Sequence, residues 1–299
     1  MMEQSEFYAG CSFYDIIIAI QSVGGITIMI RTIGMIGTGN MGSAILRGIV
    51  DADYVKPSQI IAFDANSKRM RELGEDIPGI TLAMDCRETA ERADLIILAV
   101  KPIYIQDVIN EIRPALRGKA VLSIAAGWTV DMLDKSLAGT GATYMRVMPN
   151  TPALVGEGMS ALCDETTFSK EDFDYAKGIF DSVGKTKVLP ERLFDGVVAI
   201  SGSSPAYVYM MIEAMADAGV AEGLPRTYAY EMAAQSVLGS ALMVISSGTH
   251  PAALKDAVCS PGGTTIEAVE ELERKGFRAA IMDAMKACAQ KSRDMSKTK

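Results

Sequence analysis

The chain reads as an α/β protein, a doubly wound parallel sheet followed by an all-helical C-terminal part. Three features predict this. Short apolar runs at residues 33–36, 60–63, 95–100, 120–124 and 144–148 alternate with helical stretches, as strands joined by crossover helices do. The first run leads straight into Gly37-Thr38-Gly39-Asn40-Met41-Gly42, after which residues 43–50 read as a helix. Beyond Pro190 the sequence changes to Ala/Met/Leu segments at helical spacing over 193–223, 228–247, 251–258 and 265–295.

Each element has its own signal. The run from Leu95 to Val100 has no polar alternation, so it is expected to be a central strand covered on both faces. One more short strand is expected at 187–189, and the domain boundary at 190–192. The late helices are apolar nearly all round. In a domain of roughly a hundred residues, such helices are expected to bury themselves against a second subunit, giving a homodimer or a higher homo-oligomer.

Composition narrows the function. The 299 residues are 49% hydrophobic and 6% aromatic with a net charge of −8, and no basic face is available for a nucleic-acid backbone. The cysteines Cys11, Cys86, Cys163, Cys259 and Cys288 are scattered without a CxxC pair, as reduced thiols in a cytoplasmic protein are. His250 alone builds no histidine-rich metal site, and no catalytic metal is expected. The apolar stretch 16–30 is short for a bilayer span. With Glu3, Glu6 and Asp15 ahead of the first basic residue, Arg31, it does not read as a secretory signal. Residues 1–29 are expected to be an extension ahead of a true start at Met29, and no membrane association is expected.

Residues 37–42 spell G-x-G-x-x-G between a strand and a helix, the dinucleotide fingerprint of a Rossmann-type sheet. Its glycines allow a tight turn and bring helix N-terminal amides against a pyrophosphate. Asp64 follows 22 residues beyond Gly42 at the end of the second strand. A carboxylate there accepts hydrogen bonds from a ribose hydroxyl and repels a 2′-phosphate, which favours NADH. Asn66, Ser67, Lys68 and Arg69 come next; they either bind such a phosphate or form a solvated first turn. The cofactor is therefore NADPH or NADH, with the preference open.

Several blocks together resemble the pyrroline-5-carboxylate reductases. They are Ile36 to Met41, Ala99-Val100-Lys101-Pro102, Ser123-Ile124-Ala125-Ala126-Gly127, Arg146-Val147-Met148-Pro149-Asn150-Thr151-Pro152, and residues 254–265 with their Cys259-Ser260-Pro261-Gly262-Gly263-Thr264-Thr265 turn. The last is the most specific. The similarity runs from residue 30 to the C-terminus. It implies that Ile36, Gly37, Thr38, Gly39, Asn40, Met41, Asp64, Ala99, Val100, Lys101, Pro102, Ile124, Ala125 and Ala126 line the cofactor. Lys101, between a strand end and a proline, is expected to position cofactor or loop rather than take part in chemistry. Met148 to Pro152 either shapes the wall by the nicotinamide or is a loop stiffened by two prolines.

The resemblance also implies that residues 191–299 bind substrate and dimerise, with Gly262, Gly263, Thr264 and Thr265 on the substrate. The amides of Gly263, Thr264 and Thr265 would hold its carboxylate. Thr265 would polarise or orient the ring nitrogen, with Ser260 close by. Read without the resemblance, Ser260 is equally a helix C-cap and Thr265 an N-cap. The implied reaction is hydride transfer from NAD(P)H to the cyclic imine 1-pyrroline-5-carboxylate, giving L-proline, with no essential His or Lys acid. Two positions depart from the family's pattern, Asp64 and Cys86, the latter standing where an Asn near the adenosine is usual.

Two other readings fare worse. A β-hydroxyacid dehydrogenase needs a lysine on the helix after the sheet domain, and residues 201–221 contain no Lys, Arg or His. A non-catalytic dinucleotide sensor has no use for Ser260 and Thr265 beside a carboxylate-binding turn. His250 reads as a helix-entry residue.

Overall fold

The computed structural model describes residues 22–23, 26–27 and 31–297. The expected N-terminal extension lies outside the described residues, apart from an antiparallel ladder that pairs Ser22–Val23 with Ile26–Thr27. The main sheet has eight strands, β1 Ile33–Ile36, β2 Ile60–Phe63, β3 Thr81–Leu82, β4 Leu95–Leu98, β5 Ala120–Ser123, β6 Thr143–Met148, β7 Gly158–Cys163 and β8 Gly184–Leu189. Their spatial order is β8-β7-β6-β5-β4-β1-β2-β3. Strands β1 to β6 pair in parallel, while β7 runs antiparallel to β6 and parallel to β8.

The expected run of parallel strands thus holds only as far as β6. The connection over 149–157 carries one short 3-10 turn, Thr151–Val155, and a parallel return needs a crossover of roughly a dozen residues or more. The chain therefore doubles back, and β7 was not foreseen from sequence. Alternation along β4 sorts the core into two layers. Leu95 and Ile97 pack with Ala44, Ile45 and Ile49 of helix α1 (Asn40–Asp51) and with Ile179 and Phe180 of α6 (Lys170–Asp181). Ile96 and Leu98 pack on the other face with Ala90 of α3 (Cys86–Arg92), Ile109 of α4 (Ile105–Ile112) and Leu133 of α5 (Val130–Leu137). Helix α2, Ser67–Asp76, completes the first layer.

After β8 every described element is helical: α7 Phe194–Val197, a π turn at Val198–Gly202, α8 Ser204–Ala221, α9 Arg226–Ser247, α10 Pro251–Val258, α11 Thr264–Arg274 and α12 Phe277–Lys297. The continuous helix suggested over 265–295 is broken at Gly276, whose φ of +74° costs glycine nothing. Helices α8 and α9 pack through small residues, with Ala216, Ala229 and Ala233 buried. Their large apolar residues, among them Tyr209, Met210, Met232, Leu238, Leu242 and Ile245, face outward. So wide an uncovered apolar surface marks an association face. Among the described residues no helix is long and apolar enough to cross a membrane.

A buried ion pair links sheet and helices. Arg146 of β6, with 5% of its side chain exposed, lies 2.7 Å from Glu191 and stacks over Phe194 at 4.6 Å. Glu191 also accepts the Val130 N–H that opens α5, at 2.7 Å. Glu191→Ala strands the Arg146 charge and is expected to lower unfolding free energy by roughly 3–5 kcal/mol. Urea titration checks this; a loss below about 1 kcal/mol, the size of a solvent-exposed pair, would refute it.

Candidate active site

The carboxyl ends of β1, β4 and β5 meet in register, Ile36 beside Leu98 and Leu98 beside Ser123. This is the edge where doubly wound sheets bind ligands. Gly37 leaves β1 at φ +100°, and a Cβ there would sit 2.7 Å from the Ala99 carbonyl carbon and 2.8 Å from Val100 N. A Cβ on Gly42 would lie 2.1 Å from Gly37 O. Both glycines are therefore required by close backbone approach, and the Gly37 N–H donates to Phe63 O at 2.8 Å. Gly39 is the N-cap of α1 and supplies no side-chain cap, so the first-turn amides of α1, from Asn40, Met41 and Gly42, have no intrahelical acceptor.

Next to them the Thr38 hydroxyl is buried without a hydrogen-bond partner, which is costly unless a ligand supplies one. Thr38, Gly39, Asn40, Arg69, Glu72 and Leu154 are among the residues lining a cavity of about 200 Å³ above the loop. Bare amides, an orphaned hydroxyl and a cradle that a Cβ would fill suit an anionic dinucleotide.

The remaining residues implied for the cofactor lie along the same edge. Ala99 N–H donates to Ile36 O at 2.8 Å, and Ile124 N–H to Leu98 O at 3.2 Å. Lys101 is exposed and precedes the 3-10 turn Pro102–Tyr104. Ala125 and Ala126 continue from β5 towards Trp128, whose indole N–H donates to Pro102 O at 2.9 Å and ties the two loops together. Sequence reasoning did not find that tie. Nor did it find the partners of Asn150, which donates to Ser201 O in the π turn at 3.0 Å and accepts Met159 N–H at 2.8 Å. The two-proline loop is thereby pinned to both β7 and the helices.

Cys86, the first residue of α3, is 5% exposed. Burial foremost, with the charges of Glu111 and Asp85, pushes its thiol up to about 12, and burial pushes Cys163 up to about 11. Since the thiolate is the reactive form, both are expected to resist iodoacetamide at pH 8 in the native protein and to react once it is unfolded. Peptide mapping by mass spectrometry checks this, and native labelling of Cys86 would contradict its placement.

The second group of candidate residues sits on the turn between α10 and α11. His250 is the N-cap of α10, its Nδ1 accepting Ala252 N–H at 3.2 Å, a structural task. Helix α10 ends at Val258 with Cys259 as C-cap, and Gly262 bends the turn at φ +64°. Gly263 is the N-cap of α11 and provides no side-chain cap. Thr264 and Thr265 therefore occupy the first two helical positions, and neither Ser260 nor Thr265 is a cap. The Gly263 N–H is spent on Ser260 O at 3.0 Å, which leaves the Thr264, Thr265 and Ile266 amides without an intrahelical acceptor, with the exposed Thr265 beside the turn. Within one chain this turn is not joined to the first group. The residues lining the cavity above the glycine loop all come from the sheet domain, Ser260, Thr264 and Thr265 are exposed, and α11 packs chiefly on α12.

Set beside known proteins, the chain is 48% identical over 271 residues to the pyrroline-5-carboxylate reductase of Escherichia coli, covering 90% of this chain and all of that one. The chain belongs to the pyrroline-5-carboxylate reductase family. The reductase of Arabidopsis thaliana is 40% identical over 267 residues, 89% of this chain and 96% of its own. Residues 191–295 match the family model for pyrroline-5-carboxylate reductase dimerisation, and residues 32–127 match that for NADP oxidoreductase, coenzyme F420-dependent. Among solved structures, the Plasmodium falciparum reductase with NADP bound superposes with a TM-score of 0.82 at 34% identity, over 89% of this chain and 98% of that one. The Streptococcus pyogenes reductase gives 0.79 at 34%, over 88% and 98%.

Proposed function

We propose that this reductase uses NADPH or NADH to reduce 1-pyrroline-5-carboxylate to L-proline, in a site built from the glycine loop of one subunit and the 260–265 turn of another. The observation that carries the two-subunit reading is the uncapped N-terminus of α11, exposed and apart from the nucleotide cradle of its own chain. A helix N-terminus with open amides favours a carboxylate. The outward apolar faces of α8 and α9 and the match to a dimerisation model support a homodimer in which these helices bring the turn to the partner. We place the boundary between sheet domain and helical domain at residues 190–191.

The Thr264 and Thr265 amides hold the substrate carboxylate. The Thr265 hydroxyl orients the ring nitrogen, with Ser260 supporting the turn. The cofactor, when bound, supplies the hydride. The sheet edge holds it with its pyrophosphate on the α1 amides and its nicotinamide end towards residues 99–102 and 124–126. A protonated cyclic imine is already electrophilic, so orientation is the main demand on the chain. The free cysteines of the described residues suit a reducing cytoplasm.

The direct test is oxidation of NADPH and of NADH on adding pyrroline-5-carboxylate. Thr265→Ala is expected to lower kcat by about tenfold or more at saturating cofactor. An unchanged kcat would remove Thr265 from the site.

A further inference from the structure

An acid at the end of the second strand ordinarily reads the ribose hydroxyls and turns a 2′-phosphate away. Asp64 is committed elsewhere. Its Oδ2 accepts the Thr38 N–H at 2.8 Å and its Oδ1 the Asn66 N–H at 2.9 Å. Only 12% of its side chain is exposed. The carboxylate thus bridges the glycine loop and the turn that opens α2. Its neighbours on that turn differ in what they leave free. Asn66 caps α2, its side chain accepting the amides of Lys68 and Arg69. Lys68 points into solvent, 78% exposed and 3.7 Å from Glu72.

Arg69 is the exception. It lines the cavity above the loop, and its Nη1 lies 3.8 Å from where a Cβ on Gly39 would be. From Asp64 Oδ2 it stands 3.9 Å away, close enough to offset the charge and too far for a hydrogen bond. Its guanidinium keeps its planar fork of donors for a phosphate.

From this geometry we infer that Asp64 is the latch of the nucleotide loop rather than its ribose reader, and that Arg69 is the residue that recognises the adenosine 2′-phosphate. The inference rests on the reading that this loop binds NAD(P)H. Asp64 is a positioning residue on this account, and its loss weakens both cofactors alike. Arg69 sets the ratio between them.

The experiment is an equilibrium titration of the assembled protein with NADPH and NADH. It is followed by energy transfer from Trp128, the single tryptophan, and repeated by calorimetry with NADP⁺ and NAD⁺. Arg69→Gln should weaken NADPH by roughly tenfold or more, the scale of one or two charge-assisted hydrogen bonds, with NADH unchanged. It should also abolish competition by 2′-AMP. Asp64→Ala should weaken NADPH and NADH by the same factor, and Asp64→Asn, which keeps an acceptor, should recover part of both. Two results would overturn the inference: an Asp64→Ala or Asp64→Asn protein that binds NADPH more tightly while losing NADH, or an Arg69→Gln protein with the wild-type ratio. If the wild type bound neither cofactor, the nucleotide reading would fall and this inference with it.

Discussion

Replacing Gly37 with Ala is expected to abolish NADPH and NADH binding and to destabilise the sheet domain. At φ +100° an L-residue is strained by roughly 1–3 kcal/mol. The new Cβ would also press on the backbone of Ala99 and Val100 at 2.7–2.8 Å, where no flexible side chain can yield. Relief requires Gly37 to part from the end of β4, which opens the edge that residues 99–102 form. Gly39→Ala serves as the internal control. It has φ −67° and open space around its Cβ, with Arg69 Nη1 nearest at 3.8 Å, so stability should hold while binding falls, because there the backbone itself must approach the pyrophosphate. Titration with reduced cofactor and chemical denaturation of both variants separate the two effects. A Gly37→Ala protein with wild-type cofactor affinity would show that this loop is not the cradle.

How much of this was legible in the sequence follows from the range over which each constraint acts. The strand, glycine turn and helix of residues 33–51 could be read directly, because the need for Gly37 and Gly42 is set within a few residues and by the adjoining strand. The apolar run of β4 declared a two-faced central strand for the same local reason. Asp64 was legible as a position and not as a role. The N–H it accepts from Thr38 lies 26 residues back and arrives only through the pairing of Ile36 with Phe63. Strand β7 escaped notice because Met159, Ser160 and Ala161 mix polar and apolar side chains in a strand covered on both faces, so no period of two survives. The Ser260–Thr265 turn stood out as a motif, yet which amides stay open depends on the Gly263 bond to Ser260, a detail of turn geometry that composition does not encode. The apolar helices announced a partner, and their outward faces on a single chain are the physical form of that announcement.

The sharpest expectation concerns two impaired proteins. Gly37→Ala lacks a nucleotide cradle but keeps its 260–265 turn, whereas Thr265→Ala lacks the turn's hydroxyl but keeps its cradle. If each site joins the cradle of one subunit to the turn of its partner, a mixed dimer contains one site assembled from two intact halves, and one from two damaged halves. Co-refolding or co-expressing equal amounts should make half the dimers mixed, so activity should return to about a quarter of the wild-type level, the share of sites with both halves intact in a two-fold dimer. Sites confined to one chain would each carry a lesion in every combination, and activity would stay at the level of the two parents. The same mixture prepared with Leu242→Glu and Ile245→Glu on both chains, which puts charge on the outward face of α9, should show no recovery, since burying unpaired charge at an apolar contact prevents the dimer from forming. Activity that stayed at the level of the parents in the first mixture, although size-exclusion chromatography showed it to be dimeric, would place the whole site within one chain and refute the shared arrangement.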